Sequence, residues 1–336
     1  MKVSEIGEFG LITRLAKMAQ QAENRDAEAW QQLIIGIGDD AAAWCGNNEI
    51  QLATVDSLVQ DIHFSLSYTS WRELGWKSIA VNLSDIAAMG GSPRYALVSL
   101  GLPGNTEAED VIALYRGMFD ISGRFGVAII GGDTVSSPVV FVSVTLIGSA
   151  GPGNKNMLRR SAAKAGDKIA VTNNLGASAA GLEMLRKGLK FPPKMSKQQR
   201  QAHLTPNPRV SEGQLLVEKG VKCGMDVSDG LVGDLAHICM ESKVGAQINV
   251  DLVPISPAVQ ACFGERALGL ALTGGEDYEL LFTAGPPVMN KVKKAIPCPI
   301  TIIGEITAEK PGKVKLVDSR GKAFNLKKTG WDHFIK

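Results

Sequence analysis

Several absences narrow the possibilities before any motif is read. Charge of one sign is missing: 36 basic side chains face 34 acidic ones, a formal +2. A dedicated nucleic-acid binder usually carries a strong basic excess, so none is expected as a partner. Long apolar runs are missing too. The longest, near Val139–Ala150, is about half a membrane span and is broken by Ser, Thr and Gly. The opening MKVSEIGEFG lacks an apolar signal-peptide core. The five cysteines, Cys45, Cys223, Cys239, Cys262 and Cys298, are odd in number and never spaced as CxxC. A zinc site or disulfide framework is not expected, and a reducing cytoplasm fits best. The four histidines share no metal-ligand spacing: His203, His237 and His333 stand apart, and His63 is alone in its segment. No GxxxxGK[ST], GxSxG, HRD or DFG signature occurs, which leaves out P-loop, nucleophile-elbow and protein-kinase chemistry.

What is present is ordinary in bulk. The 336 residues are 45% hydrophobic and 21% charged, a globular mix. At ~100–200 residues per domain, two domains are expected. Helical periodicity is read over 9–22, 72–89, 107–125, 175–189, 208–219 and 230–241, and from Pro257 onward. Strands are read over 33–37, 50–56, 94–101, 127–131, 139–149 and 167–172. Further strands are read near 222–226, 246–251, 279–283 and 300–305. Gly151–Asn156 (GPGNKN) breaks both periods and marks the domain boundary, giving domains 1–150 and 151–336. Residues 191–208 read as an exposed excursion, and a Lys-rich tail runs to Trp331. The run 139–149 follows 127–131 after a mere turn, which predicts antiparallel pairing and an α+β fold.

The informative pattern is acidic. Asp39 and Asp40 follow LIIGIG, Asp56 follows IQLATV, Asp85 follows IAVNLS and Asp133 follows VAIIGG. Asp226 and Asp229 follow VKCGM, and Glu276 and Asp277 follow LALTGG. Carboxylates that converge from several strand ends make a site for hard cations such as Mg²⁺. An Asp at a strand end commonly caps the next helix, and Asp85 and Asp229 fit that simpler role. Caps do not explain the doubled Asp and the double-Gly loops. Gly36, Gly38 and Ala41 imitate GxGxxA, but aspartates stand where a pyrophosphate needs bare amides. Anions beside phosphate demand a bridging metal. Arg159–Arg160 reads either as a phosphate clamp or as a solvated loop edge. Trp331 reads either as a plug for the tail or as a stacking surface.

These segments also carry a resemblance. GEFGLI at 7–12, GIGDDAA at 36–42, TVDSLVQDIHF at 54–64, AVNLSDIAAMGGSP at 80–93 and GGDT at 131–134 recur in order. They are followed by DVSDGL at 226–231, TGGEDYELLF at 273–282 and GWDHF at 330–334. Together they resemble the thiamine-monophosphate kinase family, within the wider group of aminoimidazole ribonucleotide synthetase and selenophosphate synthetase. The resemblance implies a two-domain α+β architecture. Its N-terminal domain, with a mixed or antiparallel sheet, binds ATP and Mg²⁺ and dimerises, and its α/β C-terminal domain completes the substrate site. It implies ATP-dependent phosphorylation of thiamine monophosphate to thiamine diphosphate by direct in-line transfer in a homodimer. By similarity Asp40, Thr54, Asp56, Asp85, Asp133 and Asp226 hold several Mg²⁺ ions, with Asp229 a further ligand. Val55 departs from the Thr or Ser usual at its position. It loses a metal ligand if that neighbour acts through its hydroxyl, and nothing if through its carbonyl. Tyr115, Gly132, Asp133, Arg160 and Ser228 are implied contacts to ATP; His63, Glu276 and Trp331 are implied contacts to thiamine monophosphate. Within the group, the lack of a Cys ahead of Cys45 disfavours selenophosphate synthetase, and GGEDYELLF disfavours the ribonucleotide synthetase. A non-catalytic thiamine-phosphate-binding regulator remains the alternative of a different class.

Overall fold

A computed structural model describes residues 32–35, 39–46, 49–152 and 157–326, together with Thr13. The expected helix at 9–22 apart from Thr13, the motifs at 7–12 and 330–334, Gly36–Gly38 and Trp331 lie outside the described residues.

The first half carries β1 (Leu33–Ile35), β2 (Ala42–Cys45), β3 (Glu49–Val59), α1 (Trp71–Ala88), β4 (Ser92–Leu102), α2 (Ala108–Phe125), β5 (Ala128–Ser136) and β6 (Phe141–Pro152). The sheet order is β1-β2-β3-β6-β4-β5, antiparallel except for the parallel pair β4–β5. The expected pairing of 127–131 with 139–149 is thus corrected: β4 lies between them. The α2 crossover returns β5 parallel to β4 on the outer edge. β6, whose Val142, Val144 and Leu146 are fully buried, takes the centre between β3 and β4.

α1 begins at a capping box in which Ser70 and Glu73 exchange hydrogen bonds, as the sequence S-W-R-E allows. Leu83, Ile86, Ala87 and Ala88 are fully buried, and so is nearly every residue from Leu74 on. Such all-round burial requires neighbours on several sides. One face meets the sheet and another meets α2. There a Cβ on Gly75 would stand 1.8 Å from the Leu114 carbonyl oxygen, and one on Gly117 would stand 1.9 Å from that of Arg72. These two glycines let the helices cross backbone to backbone.

The second half carries a 3-10 turn (Arg160–Ala162), β7 (Lys168–Thr172), α3 (Ala177–Lys187), α4 (Pro193–Leu204), α5 (Val210–Glu218), β8 (Cys223–Asp226), α6 (Leu231–Glu241) and β9 (Gly245–Asn249). It continues with α7 (Pro257–Phe263), α8 (Ala267–Thr273), β10 (Leu280–Ala284), α9 (Pro286–Ala295), β11 (Ile300–Thr307) and β12 (Val314–Val317). Its sheet order is β12-β9-β11-β7-β10-β8, with only β12–β9 parallel. Two expectations are corrected. The stretch read as an exposed excursion contains α4, opened by Pro193 in the first turn and burying Gln199, His203 and Leu204. The Lys-rich tail contains β12, whose alternation of Lys with Val and Leu is that of an edge strand. α9 passed unread altogether.

The halves share a core. Leu216, Val217, Leu280 and Phe282 from the second pack in one cluster with Leu83 and Ile86 from α1. Trp76 Nε1 donates to the Pro206 carbonyl at 2.8 Å. α1 is therefore the wall of the seam between the sheets. Among the described residues no helix is long and apolar enough to cross a membrane.

Candidate functional site

The period of two in β3 turns Ile50, Leu52, Thr54, Asp56 and Leu58 toward α1, and Val55 toward the opposite, solvent-facing side of the sheet. On α1, Asn82 and Asp85 are one turn apart and face β3. The Asn82 Oδ1 accepts the Asp56 N–H at 3.1 Å, and Asp85 Oδ2 accepts the Thr54 hydroxyl at 2.5 Å. Ser84 reaches the other way, its hydroxyl donating at 2.5 Å to Oδ2 of Asp226 at the end of β8. Asp40, just before β2, takes the fork of Arg160, with Nη2 at 2.7 Å and Nε at 3.2 Å.

These contacts bring one carboxylate oxygen each of Asp40, Asp85 and Asp226 within 4.8 Å of one another. Asp56 adds its charge to the group. Burial and then the Asp56, Asp226 and Asp40 charges push Asp85 well above the usual carboxylate range. Burial and Asp40 push Asp226 up to about 8, against the hydrogen bond from Ser84. Burial and Asp40 push Asp39 to about 7. Arg160 stays charged: burial works against its charge, but Asp40 outweighs it and raises its pKa. Three mutually repelling carboxylates, from the segment before β2, from α1 and from the end of β8, fit a hard divalent cation, which would relieve the repulsion.

The remaining expected residues divide. Neither Asp85 nor Asp229 is a helix N-cap. Asp85 sits in the last turn of α1, and the residue before α6 is Gly230. The turn ahead of α6 is organised by Asp234, whose Oδ2 accepts the N–H groups of Ser228, Asp229 and Gly230 at 3.1–3.2 Å. Asp133 is not in the carboxylate group. It lies on the exposed edge strand β5, accepts the Thr134 N–H at 2.9 Å, and is in register with Ser99, Ser143 and Ser57 on the solvent-facing side of the sheet. Gly132 lies beside Val98, so close that a Cβ would meet the Val98 carbonyl oxygen at 1.9 Å. Val55 shares the face of Asp133, so its missing hydroxyl takes nothing from the group on the other side.

The acids of GGEDYELLF also part company. Asp277 accepts the Gly176 and Ser178 N–H groups at the start of α3, at 2.7 and 3.1 Å, and burial pushes it to about 7. Glu279 takes the fork of Arg209, at 2.6 and 2.8 Å. Glu276, with φ at +64°, turns to the seam, its N–H on the Ser228 carbonyl at 2.7 Å. There Lys77 Nζ lies 2.8 Å from Oε1 and His203 Nδ1 lies 3.1 Å from Oε2. His63, in the turn after β3, accepts the Val59 N–H on Nδ1 at 3.0 Å, so its other nitrogen carries the proton when the ring is neutral. Tyr115 lines a shallow apolar groove on α2 with Val111, Ile112, Arg116 and Phe119.

The first half matches the family described as AIR synthase related protein, N-terminal domain, over residues 38–150. The second matches its C-terminal domain over 164–317. The thiamine-monophosphate kinase of Bacillus subtilis is 37% identical across 89% of this chain and 93% of its own. That of Escherichia coli K12 is 37% identical across 98% of each. The chain belongs to the thiamine-monophosphate kinase family. A solved structure described as AaThiL complexed with AMPPCP and TMP superposes with a TM-score of 0.84 at 32% identity, covering 99% of both chains. Hydrogenase maturation protein HypE in complex with ATP superposes at 0.67 with 19% identity over 83% of this chain and 86% of its own, a likeness of fold alone.

For this thiamine-monophosphate kinase family member, Lys77, Asn82, Ser84, His203 and Asp234 are the site-building residues that motif reading passed over. Lys77 did leave a signal, as a single cation inside the apolar run of α1. His203 left none, because its segment read as exposed.

Proposed function

We propose that this chain transfers the γ-phosphoryl group of ATP to thiamine monophosphate, forming thiamine diphosphate. The observation that carries the reading is the convergence of Asp40, Asp85 and Asp226 within 4.8 Å at the seam between the two halves, in a fold whose relative is complexed with AMPPCP and TMP.

Donor and acceptor are both anionic, so bringing them together in a partly dry cleft carries a large electrostatic cost. Bound Mg²⁺ supplies charge neutralisation and a template for both phosphate chains; Asp40, Asp56, Asp85 and Asp226 would hold it, and several ions are part of the proposal. The protein's own work is positioning. Thr54 and Ser84 orient Asp85 and Asp226, Asn82 fixes the strand at Asp56, and Arg160 orients Asp40. Asp234 holds the Ser228–Gly230 backbone, which lets Ser228 face nucleotide and Asp229 approach the cation. Tyr115 in its groove suits an adenine face. His63, Glu276 and Trp331 are the contacts to thiamine monophosphate in this reading. The acceptor phosphate has a second pKa of about 6 and is already an anion at neutral pH, so no general base is needed. Transfer is direct and in line, because aspartates committed to a cation are poor nucleophiles.

The proposal includes a division at residue 150, with ATP, Mg²⁺ and dimer contacts in the first domain, and a homodimer. The solvent-facing side of the first sheet carries Val55, 60% exposed, with Tyr95, Leu97 and Val135. Covering that face with a second copy would bury the apolar side chains and enclose Gly132–Asp133, which lie on it. Reduced thiols fit a cytoplasmic enzyme. Incubation with ATP, Mg²⁺ and thiamine monophosphate, followed by chromatography for thiamine diphosphate, tests the reading; no product under conditions where a Bacillus subtilis relative works overturns it.

A further inference from the structure

We propose that Lys77 is a positioning residue for the ring end of the acceptor. It holds Glu276 as a fixed carboxylate that only accepts hydrogen bonds, so that the cleft selects a heteroaromatic ring bearing an N–H donor. The inference rests on the reading of Glu276 as a contact to thiamine monophosphate.

Lys77 is 1% exposed, and among the described residues its one ion pair is with Glu276. Among the described residues its Nζ finds no hydrogen bond of regular geometry. A buried ammonium so thinly partnered is a poor device for stability, since an apolar side chain of similar size serves the fold as well or better. What it does is local. Burial alone would raise the Glu276 carboxyl; Lys77, and then His203, outweigh burial and hold it down at about 2. Burial and then the Lys77 charge lower the His203 pKa, against the Glu276 carboxylate, and its Nδ1 is 3.1 Å from both Glu276 Oε2 and Ser178 Oγ. The Glu276 side chain is 26% exposed, whereas those of its two partners are nearly closed off. It is thus the member of the trio that meets solvent or ligand, and an ionised carboxylate offers acceptors only. The aminopyrimidine ring of thiamine carries the matching N–H.

Spacing along α1 supports the same assignment. Lys77 and Asp85 are eight residues apart, about 12 Å along the helix axis at ~1.5 Å per residue. One helix thereby sets both ends of the acceptor, phosphate at the carboxylate group and ring at Glu276. Other groups facing Glu276 are Tyr278 beside it in its own loop and Tyr68, from the segment between β3 and α1.

The test uses the full-length Lys77→Met enzyme with ATP, Mg²⁺ and thiamine monophosphate. We expect KM for thiamine monophosphate to rise at least about tenfold, the scale of one charge-assisted hydrogen bond, while KM for ATP changes less than about twofold. Equal changes in both KM values, or an unchanged KM for thiamine monophosphate, overturn the proposal. Lys77→Met with Glu276→Gln removes both charges and keeps the test open should the single variant fail to fold. Its melting temperature should return toward wild type while KM for thiamine monophosphate stays high. Recovery of both would make the pair structural and overturn the proposal. A wild-type enzyme that does not convert thiamine monophosphate refutes the proposed function itself; an active wild type with an unaffected Lys77→Met refutes only the role of Lys77.

Discussion

Raising pH from 6 to 8 should tighten Mg²⁺ binding to this protein more steeply than at an ordinary carboxylate site. Asp226 is pushed from 3.8 to about 8 by burial and by Asp40. A group with that pKa is protonated about a hundred to one at pH 6 and about even at pH 8. A cation must displace that proton, so the apparent association constant should rise about tenfold per pH unit through this window from Asp226 alone. Asp85, also raised, steepens the slope. The sign for the metal-free protein is opposite. A carboxylate raised in the folded state contributes stability that is present below its unfolded value and lost as pH rises through the folded one. Melting temperature without Mg²⁺ should therefore fall between about pH 4 and 8, and added Mg²⁺ should restore it. Isothermal titration of Mg²⁺ at pH 7 in two buffers of different ionisation enthalpy counts the protons released, with about one or more expected. Asp226→Asn should remove about one of them and flatten the affinity profile by a decade per unit. Binding that is independent of pH from 6 to 8 with no proton release would refute the reasoning, because the three carboxylates would not then share one cation.

Four further outcomes follow from the geometry. Asp56→Asn should lower turnover at least ~100-fold, about 3 kcal/mol of lost electrostatic stabilisation, with an unchanged circular dichroism spectrum; near-normal turnover would remove Asp56 from the reacting centre. Val55→Glu and Leu97→Glu, both on the solvent-facing side of the first sheet, should turn a dimer into a monomer by light scattering; a monomeric wild type at micromolar concentration would sink the dimer. Asp234→Ala, which strips an acceptor from three N–H groups, should cost about 1–3 kcal/mol in urea unfolding and raise KM for ATP; an unchanged denaturation midpoint would mean that the turn before α6 holds itself. Transfer from an ATP whose γ-phosphate is chiral in oxygen isotopes should invert configuration at phosphorus, and net retention would point to a phosphoenzyme.

Much of this was legible in the chain. The carboxylates Asp40, Asp56, Asp85 and Asp226 stood out because each ends an apolar run, and a charge at such a position is local information. The strands β3, β4 and β6 and the helices α1 and α2 were equally readable, since alternation and the 3.6-residue period are written in consecutive residues. α4 was lost for the opposite reason. Pro, Lys and Gln dominate residues 191–208, and the few side chains it buries find partners far away in sequence. β12 hid behind its lysines, which suit an edge.

By itself, then, the sequence determined the fold class, the family and the acidic chemistry, through periodicity and through ordered motifs spread along nearly the whole chain. Tertiary structure alone decided which acids lie together. It set Asp133 on the far face of the sheet by register, gave Asp277 to the start of α3 and Glu279 to Arg209, and turned Glu276 onto Lys77 and His203. The physical reason is that a carboxylate's role follows from its burial and its nearest charges. Those are fixed by strand register and by the packing of α1 against elements more than 100 residues away, and no local pattern encodes either.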